Sequence, residues 1–213
     1  EFDAFQSLYP RVPDRADDLL IEVAGRPGVV GGNMTLMLLA AADRFSPDAY
    51  LTACKRAVET GDSQRVQTLV KEAKNLLAEQ APSLPGEVIL YAYTDGHRSI
   101  AKDLITQCTP EQIAAAPPKL LRWAAEKLDF QTAVDLVDKG AQPGDEAAGI
   151  LRALTGQRQE WMAEHLLERG MPVEPDNYAA LYACVSNQAP GTAKLLLDHG
   201  MDLELSLIHI SEP

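Results

Sequence analysis

LVDKG at positions 136–140 is followed by LLERG at 166–170 and by LLDHG at 196–200, so three similar pentapeptides end in glycines spaced 30 residues apart. The same spacing relates other apolar positions: Leu121, Leu151 and Leu181. Toward the amino end, an offset of 32 residues aligns Ala92 with Ala124. A further offset of 35 residues aligns Ala57 with Ala92. Self-similarity at a period of this length is typical of repeat proteins. The sequence therefore predicts five consecutive units.

Each unit is predicted to be a pair of short helices. The second helices carry apolar residues at i, i+3 and i+4, as in Val66, Leu69 and Val70. Turns at Gly61 and Gly96 separate the two helices in the first two units, and glycine ends the second helix in the last three. A single pair of ~30 residues cannot bury its own apolar stripe, so we expect an all-α, open solenoid of stacked helix-turn-helix repeats.

Residues 1–47 precede the repeats and are predicted to form an N-terminal helical cap or a divergent repeat. Helices are predicted over residues 14–25 and 34–45, with a loop from Arg26 to Asn33 between them. An open solenoid end has to be covered, which favours a cap over an unrelated helical hairpin. The tripeptide at 46–48, Ser-Pro-Asp, then predicts a new helix with a polar cap and proline in its first turn.

Both chain ends are predicted to be non-native. Position 1 is Glu rather than Met, and LSLIHISEP at 205–213 resembles the in-frame translation of a sequencing-library transposase adapter. This stretch also departs from the pattern upstream of it. We therefore set residues 205–213 aside as a non-native tail and expect the natural protein to continue beyond Glu204. The alternative is a genuine short tail.

The composition indicates a globular protein of one or two domains, because 46% of its 213 residues are hydrophobic and 23% are charged. The formal net charge is −12 and no cluster of Lys and Arg is present, which excludes nucleic acid as a leading partner. The longest apolar run, residues 36–42, is too short to cross a bilayer. We expect no membrane partner.

The cysteines indicate a reducing compartment. Cys54, Cys108 and Cys184 are odd in number, widely spaced and outside any metal-binding motif. A secreted disulfide scaffold carries a denser, even set, so we expect an intracellular protein, cytoplasmic or nuclear, without bound metal. Cys54 and Cys184 occupy predicted core positions of first helices, whereas Cys108 replaces a helix-ending glycine and could be exposed.

No constellation of catalytic residues is visible in the sequence. His97 lies in a turn, His165 lies inside a second helix, and His199 lies beside a helix end, where a cation favours the helix dipole. The sequence has no nucleophile-elbow motif, no phosphate-binding glycine loop and no His-Glu-x-x-His. We therefore expect a protein that is not an enzyme and uses no cofactor.

Three stretches resemble the ankyrin-repeat family. AVETGDSQRVQTLV at 57–70 is similar to the pattern A-A-x-x-G-H-x-x-x-V-x-x-L-L, and residues 92–105 repeat it with the Gly-His pair intact. LLLDHGMDLE at 195–204 is similar to the ending L-L-L-x-x-G-A-D-x-N. The resemblance covers roughly residues 48–204, without the T-P-L-H tetrapeptide that opens the best repeats, and another helical-hairpin solenoid is the alternative. It implies an array of about five repeats that binds another protein.

The resemblance also implies a concave binding face, made of the hairpin tips and the exposed side of each first helix. Its first-helix positions are Arg56, Glu59, Tyr91, Thr94, Trp123 and Glu126. Its hairpin tips carry Asp145, Glu146, Glu174 and Asp176, with Tyr178 just inside one tip. Trp, Tyr and Arg dominate interface hot spots, and an acidic edge attracts a basic partner. The alternative is that the rings fill gaps between repeats and the acids are ordinary solvated charges.

The expected function is therefore non-catalytic protein–protein interaction through the concave face of an ankyrin-type solenoid. One rival is the regulatory or substrate-recruiting arm of a larger multidomain protein, such as an enzyme, truncated at both ends. The other is a helical enzyme in its own right, which would require polar groups converging in a pocket. The repeating apolar core of the sequence favours the interaction module.

Overall fold

The structure is a computed structural model, and its described residues are 15–41, 45–77, 80–127, 129–156, 160–173 and 178–201. Within these ranges all regular structure is helical: thirteen α-helices and one 3-10 turn, with no strand. The predicted all-α class is confirmed. By its contacts the chain divides into two compact units, Glu1–Cys108 and Thr109–Pro213.

The described part of the first unit contains three helical hairpins. Their helices are α1 (Ala16–Ala24), α2 (Gly28–Ala41), α3 (Pro47–Glu59), α4 (Ser63–Leu77), α5 (Leu84–Thr94) and α6 (Arg98–Gln107). The first helices α1, α3 and α5 pack side by side, and the second helices α2, α4 and α6 do the same. This packing covers the apolar stripe of each hairpin, so that Ala57 of α3 and Val66 and Leu69 of α4 are fully buried.

The predicted loop from Arg26 to Asn33 is wrong, because α2 already begins at Gly28. Gly31 is instead buried inside the helix, where a Cβ would overlap the carbonyl oxygen of Arg26. Close packing of the α1–α2 turn against α2 therefore requires glycine at this position without ending the helix.

Two other local predictions for the first unit are confirmed. Helix α3 begins at Pro47, and the Ser46 hydroxyl oxygen accepts a hydrogen bond from the amide of Ala49 at 3.1 Å. The turns between first and second helices contain Gly61 and Gly96 with φ of 71° and 90°, a left-handed conformation that glycine adopts without a steric penalty.

In the second unit, the residues that the structure describes form a short helix followed by three hairpins. Its helices are α7 (Pro110–Ala114), α8 (Lys119–Glu126), α9 (Phe130–Asp138), α10 (Ala147–Gly156), α11 (Glu160–Glu168), α12 (Tyr178–Ser186) and α13 (Pro190–Asp198). The first helices α8, α10 and α12 pack in sequence, as do the second helices α9, α11 and α13. A 3-10 turn, Gly144–Glu146, leads into α10.

The glycines of the 30-residue period end the second helices, as predicted. Gly140, Gly170 and Gly200 have φ of 89°, 86° and 101°. The amide after each glycine bonds the carbonyl five residues earlier, for example Met171 to Leu166 at 3.0 Å. The recurring pentapeptide is therefore a helix C-cap, which satisfies carbonyls left without an intrahelical partner.

All three cysteines are buried. Burial was predicted for Cys54 and Cys184, and it raises the pKa of the Cys54 thiol to about 12. The exposure considered for Cys108 is wrong, because only 7% of this residue is exposed. The amide of Cys108 donates a hydrogen bond to the carbonyl of Leu104 at 2.9 Å, which holds this residue at the end of α6.

Candidate functional site

An open groove with a volume of about 580 Å³ lies between the first helices α1 and α3. Helix α3 and its end contribute Arg56, Glu59 and Thr60. Helix α1 and the turn after it contribute Asp18, Ile21, Glu22, Gly25 and Pro27. Of the residues predicted to form the binding face, Arg56 and Glu59 line this groove. The α1 side was not predicted, because residues 1–47 show poor register with the repeats.

Glu59 connects the groove to α5. One oxygen of its carboxylate, Oε1, accepts a hydrogen bond from the Tyr91 hydroxyl at 2.9 Å, and Oε2 lies 3.1 Å from Nη1 of Arg56. The bond to Tyr91, followed by the contact with Arg56, holds the pKa of the Glu59 carboxyl below its ordinary value. The structure therefore brings together three of the predicted residues, Arg56, Glu59 and Tyr91.

Tyr91 is held from two further directions. The Lys55 ammonium lies 5.6 Å from the centre of the Tyr91 ring, within the range of a cation–π contact. The hydroxyl of Thr94, another predicted residue, donates to the Tyr91 carbonyl at 2.9 Å. Hydrogen bonding to the Glu59 carboxylate raises the pKa of Tyr91, so its hydroxyl stays protonated at neutral pH.

The acidic side chains of α1 at the groove have basic neighbours. Glu22 pairs with Arg26 at 2.5 Å, and Asp18 lies 3.8 Å from Arg15. At least half of each of these four side chains is exposed. Exposed ion pairs contribute little to stability, so a partner can replace them at small cost.

A buried arginine holds the turn that lines the groove. Only 2% of the Arg65 side chain, on α4, is exposed. Its guanidinium donates to the backbone carbonyls of Ala24 at 2.8 Å, Arg26 at 2.5 Å and Gly28 at 2.9 Å. It also pairs with the Asp62 carboxylate at 3.0 Å. Arg65 thus ties the α1–α2 turn to α4, a role for which the sequence carries no visible signal.

The second unit has its own cluster of charged side chains, centred on Arg122 of α8. Its Nε donates to Glu126 at 2.8 Å and its Nη1 donates to Glu146 at 2.7 Å. The guanidinium lies over Gly149, where a Cβ would be 3.4 Å from the guanidinium carbon. Both bonds raise the pKa of Arg122 above its ordinary value. Glu126 and Glu146 were predicted for the binding face, whereas the arginine that joins them was not.

The remaining predicted residues of the second unit are placed separately. Trp123 is half-buried on α8, with the Lys127 ammonium 5.8 Å from the centre of its ring. Asp145 is exposed in the 3-10 turn. Tyr178 begins α12, but its side chain is outside the described part of the chain, as are Glu174 and Asp176 entirely. Trp161, which was not assigned to the face, is 52% exposed and meets Phe130 edge to face.

In the part of the chain that the structure describes, no group of three or more His, Cys, Asp or Glu side chains could hold a metal ion. His97 lies at the start of α6, with Nε2 3.5 Å from the Asp95 carboxylate. The Nδ1 of His199 lies 2.9 Å from the Leu195 carbonyl at the end of α13. None of the helices in the described ranges combines the length and the apolar character needed to cross a bilayer.

Comparison with known proteins returns no match to a family model, to a curated protein sequence or to a solved structure.

Proposed function

We propose that this chain is a non-catalytic interaction module of the ankyrin type, which binds a partner protein through the exposed side of its first helices. The observation that carries the proposal is the open groove between α1 and α3, extended to α5 by the hydrogen bond from Tyr91 to Glu59. Three successive first helices thereby contribute to one surface. Repeat proteins of stacked hairpins use extended surfaces of this kind for binding.

The chemistry of the groove suits a protein segment. Ile21 and Pro27 offer apolar contact area, while Arg56 and Glu59 offer a charged donor and a charged acceptor side by side. The Arg56 and Glu59 side chains are 57% and 40% exposed, so their mutual contact is weak and can be exchanged for contacts with a partner. Tyr and Arg are also the residue types that most often anchor interfaces.

The charge of the chain favours a partner with a basic surface. The formal net charge is −12, which attracts cationic proteins and accelerates their association at low salt. In the second unit, Trp123 and the carboxylates bound by Arg122 offer a further aromatic and acidic area. We assign the main contact to the groove of the first unit, because there aromatic, basic and acidic groups accompany a cavity.

The test is affinity capture from a cell extract with the full chain, beside Arg56→Glu and a matched Arg98→Glu variant. Arg98 is exposed on α6 and does not line the groove, so its substitution makes the same charge change elsewhere in the same unit. We expect a protein that the wild type and Arg98→Glu retain, and whose affinity for Arg56→Glu falls about tenfold or more. Hydrogen exchange should slow in residues 18–25 and 56–60 when this protein binds.

Equal capture by all three chains, or protection outside the groove, would place binding elsewhere and contradict the assignment. Capture of no protein at physiological salt would contradict the interaction function itself. Far-UV circular dichroism of each variant checks that the helices remain formed.

A further inference from the structure

Helix α2 exposes large apolar side chains along one side. Val29 is 78% exposed and Leu36 is 53% exposed. They lie seven residues apart, which is about two helical turns, so both project from the same side of the helix. Asn33 and Ala40 are exposed on this side as well, and α2 carries no charged residue. These four positions form the outer stripe of α2.

The register of the first unit shows that hairpins stacked on either side leave this stripe uncovered. The second helices α2, α4 and α6 begin at residues 28, 63 and 98, each 35 residues after the previous one. The positions equivalent to Val29 and Leu36 are occupied in α4 and α6 by Gln64, Lys71, Ser99 and Thr106. All four are exposed, although the hairpin that contains α4 lies between two others. The outer stripe of α2 is therefore not a stacking surface.

Helix α2 differs from α4 and α6 in what the stripe carries. Its packed side follows the same register, since Gly31, Thr35 and Leu38 are buried and so are their equivalents in both other helices. On the opposite side α4 and α6 place polar residues at the two positions where α2 has Val29 and Leu36. A helix that is apolar on opposite sides is normally covered on both, so a further segment is needed on the outer stripe.

The amino-terminal residues of the chain match the outer stripe in pattern. Residues 1–14 lie outside the described part of the structure. They contain two of the four Phe residues of the chain, Phe2 and Phe5, followed by Leu8 and Tyr9. Phe2, Phe5 and Tyr9 have the i, i+3, i+7 spacing of one helix face. The first and the last are seven residues apart, as are the two large side chains of the outer stripe.

The connection to α1 is long enough for a contact with α2. Helices α1 and α2 pack together and are joined by a short turn, so the start of α1 lies beside the end of α2. Residues 10–14 span up to about 17 Å, which exceeds the roughly 8–10 Å between the axes of packed helices. Residues 2–9 can therefore run along α2, with Tyr9 near Leu36 and Phe2 near Val29.

This short connection favours the chain's own segment over a separate molecule as the occupant of the stripe. A segment on a short linker meets its target at an effective concentration in the millimolar range. A second copy of the chain, or another protein, reaches such a concentration only in concentrated solution. An apolar segment that is already tethered beside the stripe thus occupies it first.

We propose that residues 2–9 pack on the outer stripe of α2 in the same chain, with Phe2, Phe5 and Tyr9 against Val29 and Leu36. The contact would remove the apolar side of α2 from water and attach the start of the chain to the first hairpin. It does not depend on the proposed partner groove, which lies between α1 and α3.

Hydrogen exchange of the full chain, followed by mass spectrometry, tests the proposal. The amides of residues 2–9 should exchange about tenfold or more slowly than in a synthetic peptide of residues 1–14, because burial of one large apolar side chain is sufficient for this factor. Leu36→Glu places a carboxylate in the stripe and should restore the rate of the peptide. Phe5→Ser should do the same and leaves the described helices unaltered.

Thr106→Glu is the matched control, because it places the same side chain at the equivalent exposed position of α6. It should keep the protection of the wild type, and circular dichroism verifies that each variant is folded. Exchange at the rate of the peptide in the wild type, protection that persists in either Leu36→Glu or Phe5→Ser, or its loss in Thr106→Glu would each overturn the proposal. Protection should be equal at about 1 and 100 μM protein. Protection only at the higher concentration would assign the stripe to a second copy instead.

Discussion

Arg65 in the first unit and Arg122 in the second both join separate parts of the chain, but they do so in opposite surroundings. Arg65 is 2% exposed and donates mainly to backbone carbonyls of another hairpin. Arg122 is 36% exposed and binds two carboxylates, Glu126 and Glu146. The hydrogen bonds of Arg65 lie at a buried helix end, where they take the place of bonds to water. At the surface, water competes with the carboxylates for the guanidinium of Arg122.

This difference predicts how much each arginine contributes to stability. A buried cation whose partners are also removed from water cannot be deleted without leaving those partners unsatisfied. A surface cation leaves carboxylates that water solvates at once. Arg65 also has four partners where Arg122 has two, so both burial and the number of contacts favour the larger contribution from Arg65.

The largest expected effect is that of Arg65→Met. The substitution leaves the carbonyls of Ala24, Arg26 and Gly28 without their donor, and it should lower the free energy of unfolding by about 1–3 kcal/mol, the cost of leaving a buried polar group unsatisfied. Urea denaturation followed by circular dichroism measures the loss. Arg98→Met, on the exposed surface of α6, is the control and should change little. Similar unfolding midpoints for the two variants would show that Arg65 is not a structural tie.

Arg122→Gln should have a clearly smaller effect in the same titration. Its partner Glu126 is 41% exposed, whereas Glu146 is 14% exposed and keeps less contact with solvent. The wild-type contribution should decrease further in 1 M salt, where the Debye length is about 3 Å. The Arg65 contribution should depend less on salt, because its own side chain is 2% exposed and its contact with Ala24 is buried. A loss of stability in Arg122→Gln as large as that in Arg65→Met would refute the burial argument.

Tyr91→Phe should have the smallest effect on the free energy of unfolding. Because it removes an exposed contact from the first unit, it distinguishes the effect of burial from the effect of the unit in which the contact lies. The Tyr91 bond is the largest cause of the lowered Glu59 pKa. A lowered pKa stabilises the fold above the unfolded value of 4.5, and this contribution is lost as the pH falls through the folded value. Tyr91→Phe should therefore raise the Glu59 pKa toward 4.5 and slightly flatten the acid side of the stability profile.

Carbon-13 NMR of the Glu59 carboxyl measures this titration directly. Tyr182→Phe, an exposed tyrosine in the other unit, should leave the Glu59 pKa unchanged. An identical Glu59 pKa in Tyr91→Phe and wild type would mean that the hydrogen bond does not persist in solution.

Several residues of the candidate site were predictable from the sequence, because the repeat register indicates which positions of each first helix are exposed. Arg56, Glu59 and Tyr91 were selected through their positions in first helices, and the structure brings them into contact. Arg65 and Arg122 were not selected, since a charged residue on an amphipathic helix looks the same in sequence whether it faces water or a neighbouring hairpin. Their roles depend on backbone and carboxylate groups contributed by other elements.

The sequence by itself determined the helices, their caps and the all-α class, because these depend on interactions within about five residues. Examples are the helix C-caps at the glycines spaced 30 residues apart and the start of α3 at Ser46-Pro47. Only the tertiary structure decided that α2 begins at Gly28, that Cys108 is buried, and that Thr155 is covered while Val185 is exposed. Each of these depends on which other segment packs against the residue, and a local pattern contains no record of that neighbour.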